Sequence, residues 1–155
     1  MTSFKDILNI TVPKIPDEFQ EEVLADESYA YTGCIDMIVA LGLDADVIWE
    51  EKTDYNDDGE EIIVKEGYCT ADLTLEQKWL AALYSYKVYL EKLKVSMTVD
   101  AINFSTLTFS IKGLEKRPEN INDTLYRLDR YLNQEINRAI GASAILGTVV
   151  SYGGD

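Results

Sequence analysis

The chain has 155 residues, of which 46 % are hydrophobic and 27 % are charged; its formal net charge is −14 and it contains no histidine. This length and composition are typical of one packed globular domain and argue against a disordered chain. The acidic balance argues against direct nucleic-acid binding, because affinity for DNA or RNA comes largely from neutralising phosphates. No apolar run approaches the roughly 20 residues of a membrane-spanning helix, and the first residues lack a signal-peptide profile. We therefore expect a soluble, intracellular protein.

The charge is divided unevenly along the chain. Residues 1–77 hold 20 of the 28 acidic residues and four of the 14 basic ones, whereas residues 78–155 hold the other eight acidic and ten basic residues. An acidic surface often serves solubility alone. The alternative is a polarised protein whose acidic half faces something to which it must not adhere.

Two short helices are predicted after an N-terminal segment and a linker bracketed by Pro13 and Pro16. The first covers residues 17–25, with acidic residues in its first turn, where the helix dipole favours them. The second covers residues 28–41 and ends at Gly42. Its predicted apolar stripe consists of Tyr31, Ile35, Ile38 and Val39.

A β-hairpin is predicted over about residues 47–64. Two apolar runs flank a polar stretch centred on Asn56 to Gly59, and Gly59 is able to take a positive φ. Extension of the preceding helix to Glu51 is the alternative. Asp54 to Gly59 also matches the opening of an EF-hand calcium loop. However, Lys65 stands where that loop needs a bidentate glutamate, so we favour a solvated hairpin tip over a calcium site.

Two long helices are predicted in the second half. The first covers residues 75–97 and begins with a capping box formed by Thr74 and Gln77. The second covers residues 118–140 and is capped by Gly141. Their apolar seams predict an antiparallel pair. The seams are Trp79, Leu83, Tyr86, Leu90, Leu93 and Met97 in the first helix, and Ile121, Leu125, Leu128, Leu132, Ile136 and Ile140 in the second.

Two further segments look extended. Residues 100–111 read as a β segment whose inward parity changes at Ser105 and Thr106, which indicates a bulge or a change of partner. The apolar tail, residues 142–155, carries no charge before Asp155. It either folds back onto the core or docks on a neighbour as an added strand.

The predicted fold is therefore mainly α with an α+β character. It consists of an antiparallel helical bundle with two long helices, a small β-hairpin or strand-like loop, and an extended C-terminal tail. We expect one domain over residues 1–141, with the hairpin at about 47–64 as an insertion, followed by the tail at 142–155.

The sequence offers little for catalysis. Histidine, the usual general base and the commonest metal ligand, is absent. Cys34 and Cys69 lack metal-like spacing and basic neighbours, so we expect two free, mostly buried thiols. We predict no catalytic, cofactor-binding or metal-binding residues, and a protein that acts by binding other protein subunits.

The order of elements resembles the head–tail connector proteins (adaptor or head-completion proteins) of tailed bacteriophages. The features shared with that family are a short acidic helix, a second helix and a variable acidic insertion, then the long helix from Leu75 to Met97. The strand-like loop from Ile102 to Gly113, a final amphipathic helix and an apolar tail complete the resemblance over about residues 17–152. The hairpin at 47–64 has no counterpart that we can match to the family.

This resemblance implies a virion protein that is assembled in the host cytoplasm into a ring of around twelve copies. The ring would lie between the portal protein and the next neck or tail protein, and DNA would pass through it without specific binding. No membrane contact and no cofactor are implied. The partner-binding residues would be Ile145, Leu146, Val149, Val150 and Tyr152 in the tail, and Phe104, Leu107 and Phe109 in the strand-like loop.

Two other functions fit the same sequence. One is another phage structural protein, such as a tail terminator, which would need a wider sheet. The other is an acidic regulatory protein or DNA mimic that binds a basic protein. In this case the chain itself would be a monomer or dimer when free.

Overall fold

The computed structural model describes the backbone of residues 1–103 and 117–152, and the side chains of residues 1–96 and 121–141. The described part is mainly helical, with one small antiparallel sheet. It divides into two compact units, Met1–Tyr89 and Leu90–Asp155. The predicted mainly α class with an α+β character is confirmed. The single domain over residues 1–141 and the antiparallel pairing of the long helices stay predictions.

The described residues form five α-helices and three strands. The helices are α1 (Phe4–Thr11), α2 (Asp17–Ala25), α3 (Ser28–Leu41), α4 (Leu75–Asn103) and α5 (Arg117–Tyr152). The strands are β1 (Thr2–Ser3), β2 (Val47–Tyr55) and β3 (Glu61–Cys69), arranged in the order β1-β3-β2 with antiparallel pairing. The predicted bounds of α2 and α3 and the predicted hairpin are confirmed, although β3 runs five residues beyond the predicted end of the hairpin.

The N-terminal segment forms the centre of the first unit. Ser3 caps α1 by accepting the Lys5 N–H at 3.1 Å, and the side chains of Phe4, Ile7 and Leu8 are completely buried. The linker that follows contains a short 3-10 turn, Val12–Lys14. The eight residues of α1 are too few for a clear helical period, so its sequence does not predict a helix.

Helices α3 and α4 approach closely through small residues. A Cβ added at Gly33 would lie 2.7 Å from the Ala81 carbonyl oxygen and 2.7 Å from the Ser85 nitrogen. The buried residues of α3 are Tyr29, Ala30, Gly33, Cys34 and Met37. Of the predicted stripe, Tyr31, Ile35 and Ile38 are half-buried, whereas Val39 is 75 % exposed, so the stripe is wrong at Val39. The absence of a side chain at Gly33 allows the backbones of α3 and α4 to come together at this point.

Helix α4 begins with the predicted capping box. The Thr74 N–H donates to the Gln77 side-chain oxygen at 2.9 Å, and the Gln77 N–H donates to the Thr74 hydroxyl oxygen at 3.2 Å. The helix continues to Asn103, so the β segment predicted from residue 100 is wrong over residues 100–103. The rest of that segment, with its proposed bulge, lies outside the described residues.

Helix α5 passes through Gly141 without interruption and ends at Tyr152. The predicted cap at Gly141 and the extended conformation predicted for residues 142–152 are both wrong. Among the described glycines, positive φ occurs at Gly42 and Gly59, so Gly141 has no left-handed conformation with which to end a helix. Glycine inside a helix costs about 1 kcal/mol relative to alanine, and a long helix tolerates that cost.

The predicted seams of the long helices are partly confirmed. Leu83, Leu90, Ile121, Leu128, Leu132 and Ile136 are buried, whereas Tyr86, Leu93 and Leu125 are half-buried. Trp79 at the beginning of α4 and Ile140 in α5 are exposed, which contradicts their predicted places in the seams. The side chain of Met97 lies outside the described residues.

A pair of glycine substitutions tests the continuation of α5. We expect Gly141→Ala to raise the free energy of unfolding by roughly 0.5–1 kcal/mol and to increase helicity, because no atom of the described residues lies within 4 Å of the added Cβ. Gly42→Ala should lower the free energy of unfolding by about 1 kcal/mol, because Gly42 caps α3 with φ 64°. Urea titration followed by circular dichroism measures both. Destabilisation by Gly141→Ala would place a left-handed cap at this position and contradict the long α5.

Candidate functional site

The base of the β-hairpin is fixed by an aromatic cluster. Gly67 stands opposite Trp49 in the β2–β3 register, and the Phe4 ring occupies the space that a side chain at Gly67 would fill. The ring centroids of Phe4 and Trp49 are 5.5 Å apart at an interplanar angle of 79°, and the Tyr31 ring lies 5.5 Å from Trp49. Phe4 thus covers the bare glycine and orders the base of the hairpin.

Buried polar side chains satisfy the backbone around this base. The Glu27 carboxylate, 9 % exposed, accepts the Gly67 N–H at 2.8 Å. The buried Thr2 hydroxyl accepts the Leu73 N–H at 2.9 Å and donates to the Ala71 carbonyl at 3.1 Å. Because buried polar groups are costly unless they are hydrogen-bonded, these contacts fix the strands and the start of the chain in one arrangement.

Beyond this base the hairpin is open to solvent. We call residues 50–65 the hairpin arm; apart from the half-buried Asn56 and Val64, all of them are exposed. Tyr55 and Ile63, which are diagonal neighbours on one face, are 65 % and 69 % exposed. Ile62 is 39 % exposed on the opposite face. A two-stranded ribbon with both faces in water is marginally stable, and exposed apolar residues on such a ribbon favour contact with a partner.

The two lysines of the arm are paired with carboxylates on the facing strand. The Lys52 ammonium lies 3.0 Å from the Glu66 carboxylate and 4.0 Å from that of Glu50, and Lys65 lies 3.0 Å from Glu51. The hydrogen bond with Lys52 lowers the pKa of Glu66, and the same contact raises the pKa of Lys52. Exposed ion pairs of this kind add little stability, so their main effect is to neutralise the middle of the arm.

The tip of the arm is a tight turn built by Asn56. Its side-chain oxygen accepts the N–H groups of Asp58 at 3.1 Å and Glu60 at 2.8 Å, and Gly59 takes φ 77°. The calcium-like motif therefore lies at a hairpin tip, and Lys65, at the twelfth position of the motif, pairs with Glu51. Within residues 1–96 and 121–141, no group of three or more His, Cys, Asp or Glu residues is placed to hold a metal ion.

A second exposed surface lies on α5. Tyr126, Arg127, Arg130, Tyr131 and Arg138 are exposed on the side opposite the buried leucines and isoleucines of this helix. We call these five residues the arginine–tyrosine face. The Arg130 guanidinium lies 5.9 Å from the Tyr126 ring centroid, and Arg138 lies 3.1 Å from Glu135. Exposed arginine and tyrosine are enriched where proteins bind one another.

The predicted partner-binding residues do not form a described site. Ile145, Leu146, Val149, Val150 and Tyr152 belong to the helical backbone of α5, and their side chains lie outside the described residues. Phe104, Leu107 and Phe109 lie outside the described residues altogether. Their role in partner binding stays a prediction.

The exposed residues of the arm were missed as site candidates. The run of Ile62, Ile63 and Val64 carried the signal, because three consecutive apolar residues in a strand must place at least one on each face. Exposed apolar residues on both faces of a hairpin favour contact with a second layer or a partner.

Both cysteines are free and buried, as predicted. Burial raises the pKa of the Cys34 thiol to about 12, with a smaller contribution from Cys69. A thiol held in its neutral form is a poor nucleophile. The structure therefore gives Cys34 a packing role between α3 and its neighbours.

The chain matches no protein-family model, no curated protein and no solved structure. None of the helices, as far as they are described, contains a stretch long and apolar enough to cross a lipid bilayer.

The burial of Cys34 predicts slow alkylation. In a Cys69→Ala variant at pH 8, we expect iodoacetamide to modify native Cys34 on the order of 10³-fold more slowly than in urea, because the pKa of the thiol is raised from 9.0 to about 12. Mass spectrometry of timed samples measures the rates. Native and unfolded rates within tenfold of each other would contradict the burial.

The same shift has a consequence for stability. The unfolded thiol ionises near pH 9.0 and the folded thiol only near 12. Its contribution to stability is therefore present below pH 9 and is lost as the pH rises towards 12.

Proposed function

We propose that this chain is a structural assembly protein of a tailed-bacteriophage neck. In this proposal, copies of the chain form a ring between the portal and the tail, and the ring extends the channel through which DNA passes. The observation that carries the proposal is the hairpin arm, which presents Tyr55, Ile62 and Ile63 to solvent on two faces. Apolar residues on an element of this kind are best explained by contact with another protein surface.

The distribution of charge supports a ring through which DNA slides. All the excess negative charge of the chain lies in residues 1–77, which hold 20 acidic and four basic residues. The residues of α2 at positions 17, 18, 21 and 22 are exposed acids. Repeated around a ring, such a surface would repel the phosphates of DNA and prevent adhesion. The more basic second half would suit contact with an acidic neighbour.

The helical conformation of residues 142–152 determines how this part of the chain would dock on a neighbour. Because residues 142–152 are helical, they have no free strand to donate to a neighbouring sheet. Any contact that Ile145, Val149 or Tyr152 makes with the portal or with an adjacent copy would be the docking of a helix into a groove.

A second candidate function is an acidic protein that inhibits a nucleic-acid enzyme by imitating DNA. The exposed acids on α2 and at the tip of the arm favour it. The two functions predict different behaviour of the purified protein. An inhibitor would be a monomer or dimer that binds a basic enzyme, and that binding would weaken steeply as salt is raised.

Native mass spectrometry and negative-stain microscopy of concentrated protein test the proposal. We expect closed rings of about ten or more copies with a central hole, as the resemblance to connectors implies. Tyr55→Thr combined with Ile63→Thr should abolish the rings and leave the free energy of unfolding within about 0.5 kcal/mol per substitution, because both side chains are exposed in the single chain.

Val39→Thr is the matched control, because Val39 is 75 % exposed on α3. This control should form rings like the unaltered chain. A monomer at every concentration that binds a nucleic-acid enzyme in a salt-dependent way would overturn the proposal in favour of the inhibitor.

A further inference from the structure

The tip of the hairpin arm carries more negative charge than the arm itself can neutralise. Residues 54–61 contain five carboxylates and no basic residue. The two lysines of the arm, Lys52 and Lys65, are already paired with Glu66 and Glu51. Tyr55 and Ile63 are exposed on one face of the ribbon near this acidic tip, and Ile62 is exposed on the opposite face. The arm therefore needs a partner surface that is both basic and apolar.

The arginine–tyrosine face of α5 has this chemistry. Arg127 and Arg130 are exposed and lie within four residues of Tyr126 and Tyr131. Guanidinium groups bind carboxylates in a bidentate manner and stack on aromatic rings. The tyrosine rings supply apolar area with a polar rim. One face of one helix thus offers both the cations and the apolar contact that the arm needs.

The two surfaces also agree in length. The face runs from Tyr126 to Arg138, which is about 18 Å along a helix at 1.5 Å per residue. The β2 part of the arm runs from Glu50 to Tyr55, which is about 17 Å at 3.4 Å per residue. An arm laid along the face would therefore bring its acidic tip and its apolar residues over the full set of arginines and tyrosines.

We infer that the hairpin arm of one copy docks on the arginine–tyrosine face of α5 in a second copy of this chain. The inference rests on the proposed function and names the contact that would hold the ring together. The arm and the face are different surfaces, so the contact is head-to-tail and propagates until the ring closes.

Pairing of two β2 edges is the main alternative use of the arm, since β2 is an edge strand among the described strands. Such pairing would bring Glu50, Glu51 and Asp54 of one copy beside the same residues of the other. Like charges opposite one another are unfavourable between strands. Docking on α5 places those carboxylates near arginines instead.

Charge reversal on each side tests the inference in the full chain. The arm variant carries Asp57→Lys and Asp58→Lys, and the face variant carries Arg127→Glu and Arg130→Glu. Because like charges then oppose one another, each variant alone should associate at least about tenfold more weakly than the unaltered chain in 50 mM salt. An equal mixture of the two should assemble again, because every reversed arm then meets a reversed face. Sedimentation equilibrium and native mass spectrometry measure the association.

Glu21→Lys with Glu22→Lys is the matched control for the arm variant, because it makes the same change in net charge on exposed positions of α2. This control should assemble like the unaltered chain. Circular dichroism checks that all variants are folded.

Three outcomes would overturn the inference. The first is a mixture that stays as weakly associated as its components. The second is an arm variant that fails while the face variant assembles normally, which would place the partner of the arm on a surface other than α5. The third is normal rings from both variants. In this third case the proposed ring-forming function stands and the contact assigned here falls; an unaltered chain that never self-associates removes the proposed function as well.

Discussion

The placement of the Phe4 ring against Gly67 is the contact on which the rest of the first unit depends. β1 pairs Thr2 with Cys69 and Ser3 with Tyr68, so the next residue of the chain, Phe4, arrives at Gly67. Only a glycine there leaves room for the ring, which then contacts Trp49 and Tyr31. The start of the chain, the base of the hairpin and α3 are thereby joined in one aromatic cluster. A side chain at Gly67 would have to displace that ring.

The hairpin therefore has two parts, a base that is packed against the first unit and an arm that is exposed to solvent. Gly67 and Cys69 are buried and Glu27 satisfies a backbone N–H, so the base is fixed by packing and hydrogen bonding. No second layer covers the arm among the described residues, and the arm keeps its shape through strand pairing, the Asn56 turn and cross-strand ion pairs. A fixed base that carries an exposed apolar ribbon is a suitable element for contact between subunits, because little order has to be created on binding.

The sequence predicted those elements whose signals are local. The capping box at Thr74, the glycine stop at Gly42 and the turn at Gly59 were read correctly because each depends on a few adjacent residues. The predictions were wrong where the structure depends on a residue far away in the sequence, or where the sequence signal is weak. Which face of α3 is buried depends on how closely α4 can approach Gly33, and the role of α1 depends on Gly67, more than sixty residues away. Gly141 looks like a helix stop in sequence, but the helical preference of the residues around it carries α5 onward. The sequence predicts the hairpin that carries the candidate site. It does not predict that both faces of the hairpin are exposed, because this depends on whether another element of the described residues covers them.

We propose that the hairpin arm is a contact surface between copies of the chain, and amide hydrogen exchange of dilute and assembled protein tests this proposal. On assembly, we expect exchange to slow by about tenfold or more in residues 50–65 and in residues 126–138, while α2 exchanges at the same rate in both samples. Assembled protein in which the arm exchanges as fast as in the dilute single chain would contradict the account.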